Sequence, residues 1–101
     1  MRVEDFSERK RFVGVGSARV AYYEEGHGEA LMLLHGCPFS SFVWRRVIAL
    51  LSPHFCCLAP DLLGLGDTET PPDADWSLRA QAATIVGFLD ALGVERPRGR
   101  P

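Results

Sequence analysis

Reactive side chains and turn-forming residues crowd two short stretches of this 101-residue sequence. The first runs Leu33-Leu34-His35-Gly36-Cys37-Pro38 and continues through Ser41 to Trp44-Arg45. The second is Ala59-Pro60-Asp61-Leu62-Leu63-Gly64-Leu65-Gly66-Asp67-Thr68. Cys37 attacks as a nucleophile only when its thiol is activated, and no activating partner stands near it in sequence. His35 admits two readings, a catalytic base or a histidine that braces a loop, and the second is expected. Asp61 and Asp67 can be taken as paired acids; the plainer expectation has Asp61 bracing its loop and Asp67 solvated. Gly64-x-Gly66 looks like part of a phosphate loop. It lacks the third glycine and the following Lys-Ser/Thr, so nucleotide binding is not expected. Trp44 is expected in the core rather than against a substrate.

These stretches need elements to hold them. Residues 11–15 and 18–24 are rich in β-branched and aromatic types and flank Gly16-Ser17, which reads as a β-hairpin. Residues 30–35 form a continuously apolar run, as in a parallel strand buried on both faces. Residues 42–51 have helical spacing, with Val43, Val47 and Leu50 on one face beside Trp44, Ile48 and Leu51. A second apolar strand spans 55–59. Ser77 or Asp75 caps a helix reaching Leu92, with Leu78, Ala82, Ile85, Leu89 and Leu92 as its stripe and Gly93 ending it. The order is β-β-β-α-β-α, and strand–helix alternation implies right-handed crossovers and a parallel sheet. Residues 1–9 read as a loose lead-in, 10–95 as the folded unit, and 96–101 as an irregular tail with two prolines and three arginines.

In such sheets ligands bind beyond the carboxyl ends of the strands. His35-Gly36-Cys37 stands at one of those ends. Glycine lets the backbone turn sharply there and bring an N–H toward a substrate oxygen. Donors fixed before charge develops form an oxyanion hole, and each lowers the barrier by about 3–4 kcal/mol. Pro38 fixes its own φ and restricts Cys37.

Three blocks then occur together: His35-Gly36-Cys37-Pro38, Ser40-Ser41 with Trp44-Arg45, and Pro60-Asp61 through Gly64-x-Gly66-x-Thr68. With these blocks the chain resembles the α/β-hydrolase family, in the branch of epoxide hydrolases and haloalkane dehalogenases. Those proteins carry His-Gly-x-Pro, Ser-Ser-x-x-Trp-Arg and Pro-Asp-x-x-Gly-x-Gly-x-Ser/Thr. The resemblance covers the N-terminal portion of a family member, an α/β architecture of hairpin, parallel strands and helices on both sheet faces. It implies that the Cys37 N–H is one oxyanion donor, with Gly36, Pro38 and His35 supporting it. It also implies a small-molecule substrate carrying an ester, epoxide or carbon–halide bond. Many haloalkane dehalogenases place Asn after His-Gly to hold the departing halide. Cys37 offers only a weak S–H donor, which ranks ester or epoxide hydrolysis above dehalogenation. In the family's strand order the 30–35 strand lies between the fourth strand and a fifth, and the two helices lie on opposite faces.

The family's nucleophile, Asp or Ser, follows that fifth strand, and its acid and base His come later still. Gly-x-Ser-x-Gly and Gly/His-Asp-x-Gly are absent from this sequence. No Ser-His-Asp set can be assembled from His27, His35 and His54. The chain is therefore expected to be a hydrolase-family piece that stops before the nucleophile and is inactive alone. The ending Arg-Pro-Arg-Gly-Arg-Pro, and ten arginines against the single Lys10, suit an out-of-frame read in a G+C-rich gene. The alternative is a short non-catalytic interaction module built from the hydrolase front half. Nucleotides downstream of the stop codon separate the two.

Composition narrows the remaining classes. With 47% hydrophobic and 24% charged residues, the chain is not disordered throughout. A net charge of −2 and scattered arginines argue against a nucleic-acid partner. The longest apolar run is far below the roughly 20 residues that span a bilayer. A membrane partner is not expected, and the N-terminus has no signal-peptide pattern, so the cytoplasm is expected. Cys37, Cys56 and Cys57 form neither a disulfide framework nor, with the histidines, a zinc pattern; neither metal nor cofactor is expected. Without a fifth strand, the 30–34 run is left as a sheet edge, and self-association through it is expected.

Overall fold

Adjacent tyrosines on one strand, Tyr22 and Tyr23, are both buried, in different cores. Successive side chains on a strand point to opposite faces, so two buried neighbours require a sheet covered on both sides. The computed structural model describes residues 2–36 and 40–94. Cys37, Pro38 and the expected tail at 96–101 lie outside these described residues. The elements are α1 (Val3–Glu8), β1 (Arg11–Val15), β2 (Ala18–Glu25), β3 (Glu29–Met32), a 3-10 turn (Ser41–Trp44), α2 (Arg45–Leu51), β4 (Phe55–Pro60) and α3 (Leu78–Leu92).

The strands form one mixed sheet in the order β1-β2-β4-β3. β1 and β2 pair antiparallel across the Gly16-Ser17 turn, in the expected hairpin. β2 meets β4 antiparallel, with Tyr22 opposite Pro60. β3 runs parallel to β4, with Met32 opposite Leu58. β3 thus occupies one edge, and the crossover from β3 through α2 to β4 is of the β-α-β kind. One core gathers Phe6, Tyr23, Leu33, Ile48, Cys57 and Ala59, under α1 and α2. The other gathers Val20, Tyr22, Leu58, Leu63 and Phe88, under α3. The two crossing helices therefore cover opposite faces.

Several elements differ from their expected form. The lead-in at 1–9 contains α1, because Phe6 has an apolar place to go. It is 1% exposed, stacks on Tyr23 at a centroid distance of 4.2 Å and meets Phe42 edge-on at 5.4 Å. The folded unit accordingly begins before residue 10. The expected 42–51 helix divides into a 3-10 turn and α2. Its packed side carries Trp44, Val47, Ile48 and Leu51, whereas Val43 and Leu50 face outward. α3 is rotated relative to the aliphatic stripe. Phe88 is its fully buried residue and meets Tyr22 edge-on, while Leu78 is 88% exposed and Ala82 is exposed. Of the stripe, Leu89 and Leu92 still pack against the same core. Ser77 caps α3 by accepting the Ala80 N–H, and Gly93 ends it at φ 72°, a left-handed conformation natural to glycine.

Phe6→Ala leaves a ring-sized void beneath Tyr23, where such truncations cost about 3–5 kcal/mol. The variant is expected to unfold at least about 10 °C below the parent in thermal circular dichroism. A shift of under about 2 °C would return α1 to the status of a loose lead-in.

Candidate functional site

Parallel β3 and β4 deliver two loops to the same end of the sheet. The loop after β3 carries His35 and Gly36 and resumes at Ser40; the loop after β4 begins at Asp61. Three side chains tie these loops to each other and to the strands.

Asp61 is the first of them, at 1% exposure. Its Oδ1 accepts the Ser41 N–H at 2.8 Å, and its Oδ2 accepts the Asp67 N–H at 2.9 Å. Lys10 Nζ donates to the same Oδ2 at 2.5 Å and to Asp67 Oδ2 at 2.9 Å. The Lys10 and Asp61 side chains are almost wholly out of water. A buried carboxylate is tolerated only when charged and neutral donors meet it together, and this one has both. Gly66 stands against it at φ 55°, and a Cβ there would run into the carboxylate. The second Gly of the Gly64-x-Gly66 motif therefore admits a carboxylate rather than a phosphate.

His35 is the second, 5% exposed. Its Nε2 accepts the Leu62 N–H at 3.0 Å, so that nitrogen carries no proton. Nδ1 therefore bears the proton and donates to the Gly36 C=O at 2.8 Å. Both ring nitrogens are engaged with backbone, and neither is presented for acid–base work. The ring joins the loop after β3 to the start of the loop after β4. Thr68 is the third. Its hydroxyl donates to the Asp61 C=O at 2.7 Å and accepts the Ala21 N–H at 3.0 Å. Gln81 completes the clamp from α3 by bonding both backbone groups of Leu63, at 2.9 and 3.1 Å.

Of the residues singled out from sequence, His35 and Gly36 sit in this cluster, beside Asp61 and Ser41. Cys37 and Pro38 fall outside the described residues. Asp67 is exposed, as expected, and one of its carboxylate oxygens also accepts from Lys10. Trp44 packs on the α2-side core. Ser41 Oγ and Trp44 Nε1 are buried with no hydrogen-bond partner among the described residues. Cys56 and Cys57 are free thiols, both pushed up from the ordinary thiol range chiefly by burial, with Glu24 adding to it at Cys56 and Glu25 at Cys57. They are poor nucleophiles in that state. Lys10 and Gln81 are the residues that sequence reasoning missed. A lone lysine in an arginine-rich chain was the available sign, and nothing in spacing links it to Asp61. Among the described residues, no group of three His, Cys, Asp or Glu side chains is placed to hold a metal, and no helix is long and apolar enough to cross a membrane.

The sequence and fold have counterparts among known proteins. The sequence profile of the alpha/beta hydrolase fold matches residues 29–97. The chain is 37% identical over 86 residues to haloalkane dehalogenase 2 of Mycobacterium tuberculosis (strain ATCC 25618 / H37Rv), covering 85% of this chain and 30% of that protein. It is 38% identical over 82 residues to the soluble epoxide hydrolase of Corynebacterium sp. (strain C12), covering 81% of this chain and 28% of that protein. The crystal structure of an ancestral haloalkane dehalogenase, AncHLD2, superposes with a TM-score of 0.79 at 38% identity, over 84% of this chain and 30% of that one. The chain thus spans about a third of the length of the curated relatives it matches.

Replacing Lys10 leaves the Asp61 charge buried without its counter-ion. Removing one partner of a buried pair costs about 3–5 kcal/mol, so Lys10→Met is expected to lower the urea midpoint by that equivalent at pH 7. The hydrogen bond from Lys10 also holds Asp67 below the ordinary carboxylate range; partial burial acts the other way, and Ser7 assists Lys10. A carboxyl depressed in the folded state adds stability above its unfolded pKa and loses it as pH falls through the folded value. Asp67→Asn is therefore expected to be destabilising at pH 7, with the gap to the parent closing as the pH falls below the ordinary Asp value of 3.8. A gap that does not change with acid would show that the charge of Asp67 is not what stabilises the fold.

Proposed function

Because the chain belongs to the α/β-hydrolase fold family, we propose that it forms the oxyanion-loop portion of a hydrolase acting on small-molecule ester, epoxide or carbon–halide bonds. The observation that carries this reading is the clamp on both ends of one loop. His35 holds its start at Gly36, and Asp61 holds the Ser41 N–H where it ends. Backbone donors stabilise a developing oxyanion only if they are fixed beforehand, and a loop pinned at both ends meets that condition. The Cys37 N–H, between the two clamps, is the proposed donor, with Pro38 restricting its direction. The names of the matched relatives, dehalogenases and an epoxide hydrolase, support the bond classes.

The chain's own residues orient and polarise in this scheme; none of them attacks. No Gly-x-Ser-x-Gly occurs in the sequence, and both nitrogens of the buried His35 are taken. The 101-residue polypeptide is accordingly inactive by itself. Cys37 provides only a weak side-chain donor for a leaving halide, which places epoxides and esters ahead of haloalkanes.

The test uses the chain and a chimera. The purified chain is expected to show no turnover of p-nitrophenyl esters, epoxides or haloalkanes above buffer. A chimera carrying residues 10–94 in the matching stretch of the M. tuberculosis haloalkane dehalogenase 2 is expected to hydrolyse them, esters and epoxides fastest. Cys37→Pro in that chimera deletes the proposed donor and should lower kcat about 100-fold or more, with KM changing less. A folded chimera whose kcat survives Cys37→Pro would overturn the assignment, as would activity in the isolated chain.

A further inference from the structure

Lys10 is the single lysine beside ten arginines, and its side chain is 2% exposed. An ammonium is a compact point charge with three donors, whereas a guanidinium is a broad planar fork. Here the ammonium serves three neighbours at once. It donates to Asp61 Oδ2 and to Asp67 Oδ2, and it stands 5.6 Å from the centroid of the Phe6 ring. α1 brings it there. The Arg9 and Lys10 N–H groups close on the Phe6 and Ser7 carbonyls, each at 3.2 Å, so Lys10 leaves the helix in a fixed direction.

Two consecutive residues of the 3-10 turn are held from this segment. The Ser41 N–H donates to Asp61 Oδ1, on the same carboxylate that Lys10 meets at Oδ2. The Phe42 ring meets Phe6 edge-on. Ser41 and Phe42 begin the turn that follows the loop after β3. A hydrogen bond to an ionised acceptor is about twice as strong as one between neutral groups. The grip on the Ser41 N–H therefore depends on the charge at Asp61, and Lys10 is the cation paired with that charge among the described residues. We propose that Lys10 is a positioning residue: it acts through Asp61 on the Ser41 N–H while Phe6 holds Phe42, so that docking of α1 sets where the loop after β3 ends. The consequence for catalysis rests on the function proposed for that loop. A purely structural ion pair supports the whole fold evenly, and its loss loosens every element alike. A positioning pair supports Ser41 above the rest, and its loss is felt there first.

Amide hydrogen exchange of the 101-residue chain at constant pH separates the two cases. In Lys10→Met the Ser41 amide is expected to speed up at least about tenfold more than the amides of β2, which open only with the whole sheet. Equal acceleration at Ser41 and in β2, or none at Ser41, would overturn the proposal. So would a Ser41 amide that already exchanges freely in the unaltered chain. Lys10→Gln keeps a donor without the charge; if Lys10→Met does not fold, it takes its place and the same outcomes decide. Catalysis is read in a chimera carrying residues 2–94 at the front of the M. tuberculosis haloalkane dehalogenase 2. There Lys10→Met is expected to lower kcat about tenfold, with KM changing less than about twofold, because a displaced donor costs rate more than binding. An unchanged kcat in a folded Lys10→Met chimera that does lose kcat with Cys37→Pro would overturn the positioning role. If Cys37→Pro leaves kcat intact, the function proposed for the loop fails, and exchange at Ser41 still decides whether Lys10 positions the turn.

Discussion

A carboxylate with no exposed surface must be met by donors on every side, and the rest of this site is arranged around that requirement at Asp61. Its donors come from three separate parts of the chain: Lys10 before β1, the Ser41 amide at the start of the 3-10 turn and the Asp67 amide across its own loop, where Gly66 leaves the carboxylate room. No two of these are sequence neighbours of Asp61. The carboxylate can be buried only when the hairpin, the β3 loop and the β4 loop have all arrived. It thereby couples three segments that the sheet alone would leave independent. Buried ion pairs add little net stability against an apolar substitute, but they are unforgiving of wrong geometry. Here that intolerance fixes where the chain resumes at Ser41.

The second constraint is the use of backbone rather than side chain at the functional end. His35, Thr68 and Gln81 all spend their polar atoms on main-chain groups of the two loops. Loops at the carboxyl ends of parallel strands have no ladder to satisfy their N–H and C=O groups, so side chains must do it. Once they do, the backbone groups they bond at Gly36 and at 61–63 are held in place. That is the state in which a main-chain N–H can polarise a substrate oxygen without first being reorganised.

Much of this was readable from residue types, and what was not has a common cause. The hairpin, the 55–59 strand, the Ser77 cap and the Gly93 stop all follow from local chemistry, and the structure contains them; the 30–35 run instead forms a strand only over Glu29–Met32, half exposed rather than buried on both faces. The motif blocks led directly to the loops around His35 and Asp61, and the bracing role of Asp61 was anticipated. The failures concern long-range partners. α1 forms because Phe6 finds Tyr23 and Phe42, which no local pattern announces. Lys10 finds Asp61 across 51 positions. In α3 the aliphatic stripe holds only at its C-terminal end: Leu89 and Leu92 pack against the core, Leu78 and Ala82 are exposed, and Phe88, outside the stripe, is the buried residue. A helix with two apolar directions has two defensible stripes, and only the neighbouring surface chooses between them.

The two-faced sheet also sets which parts of the gene can change length. Tyr22 and Tyr23, like Cys57 and Leu58, belong to different cores by virtue of being one position apart. Inserting or deleting a single codon within β2 or β4 would not simply shorten a strand; it would transpose the two cores, sending every side chain beyond that point to the opposite helix. The loop at 70–76 has no such parity, and residues can be gained or lost there while both cores keep their membership. Divergence among proteins built on this front half is therefore expected to accumulate length variation in its loops and almost none in its central strands.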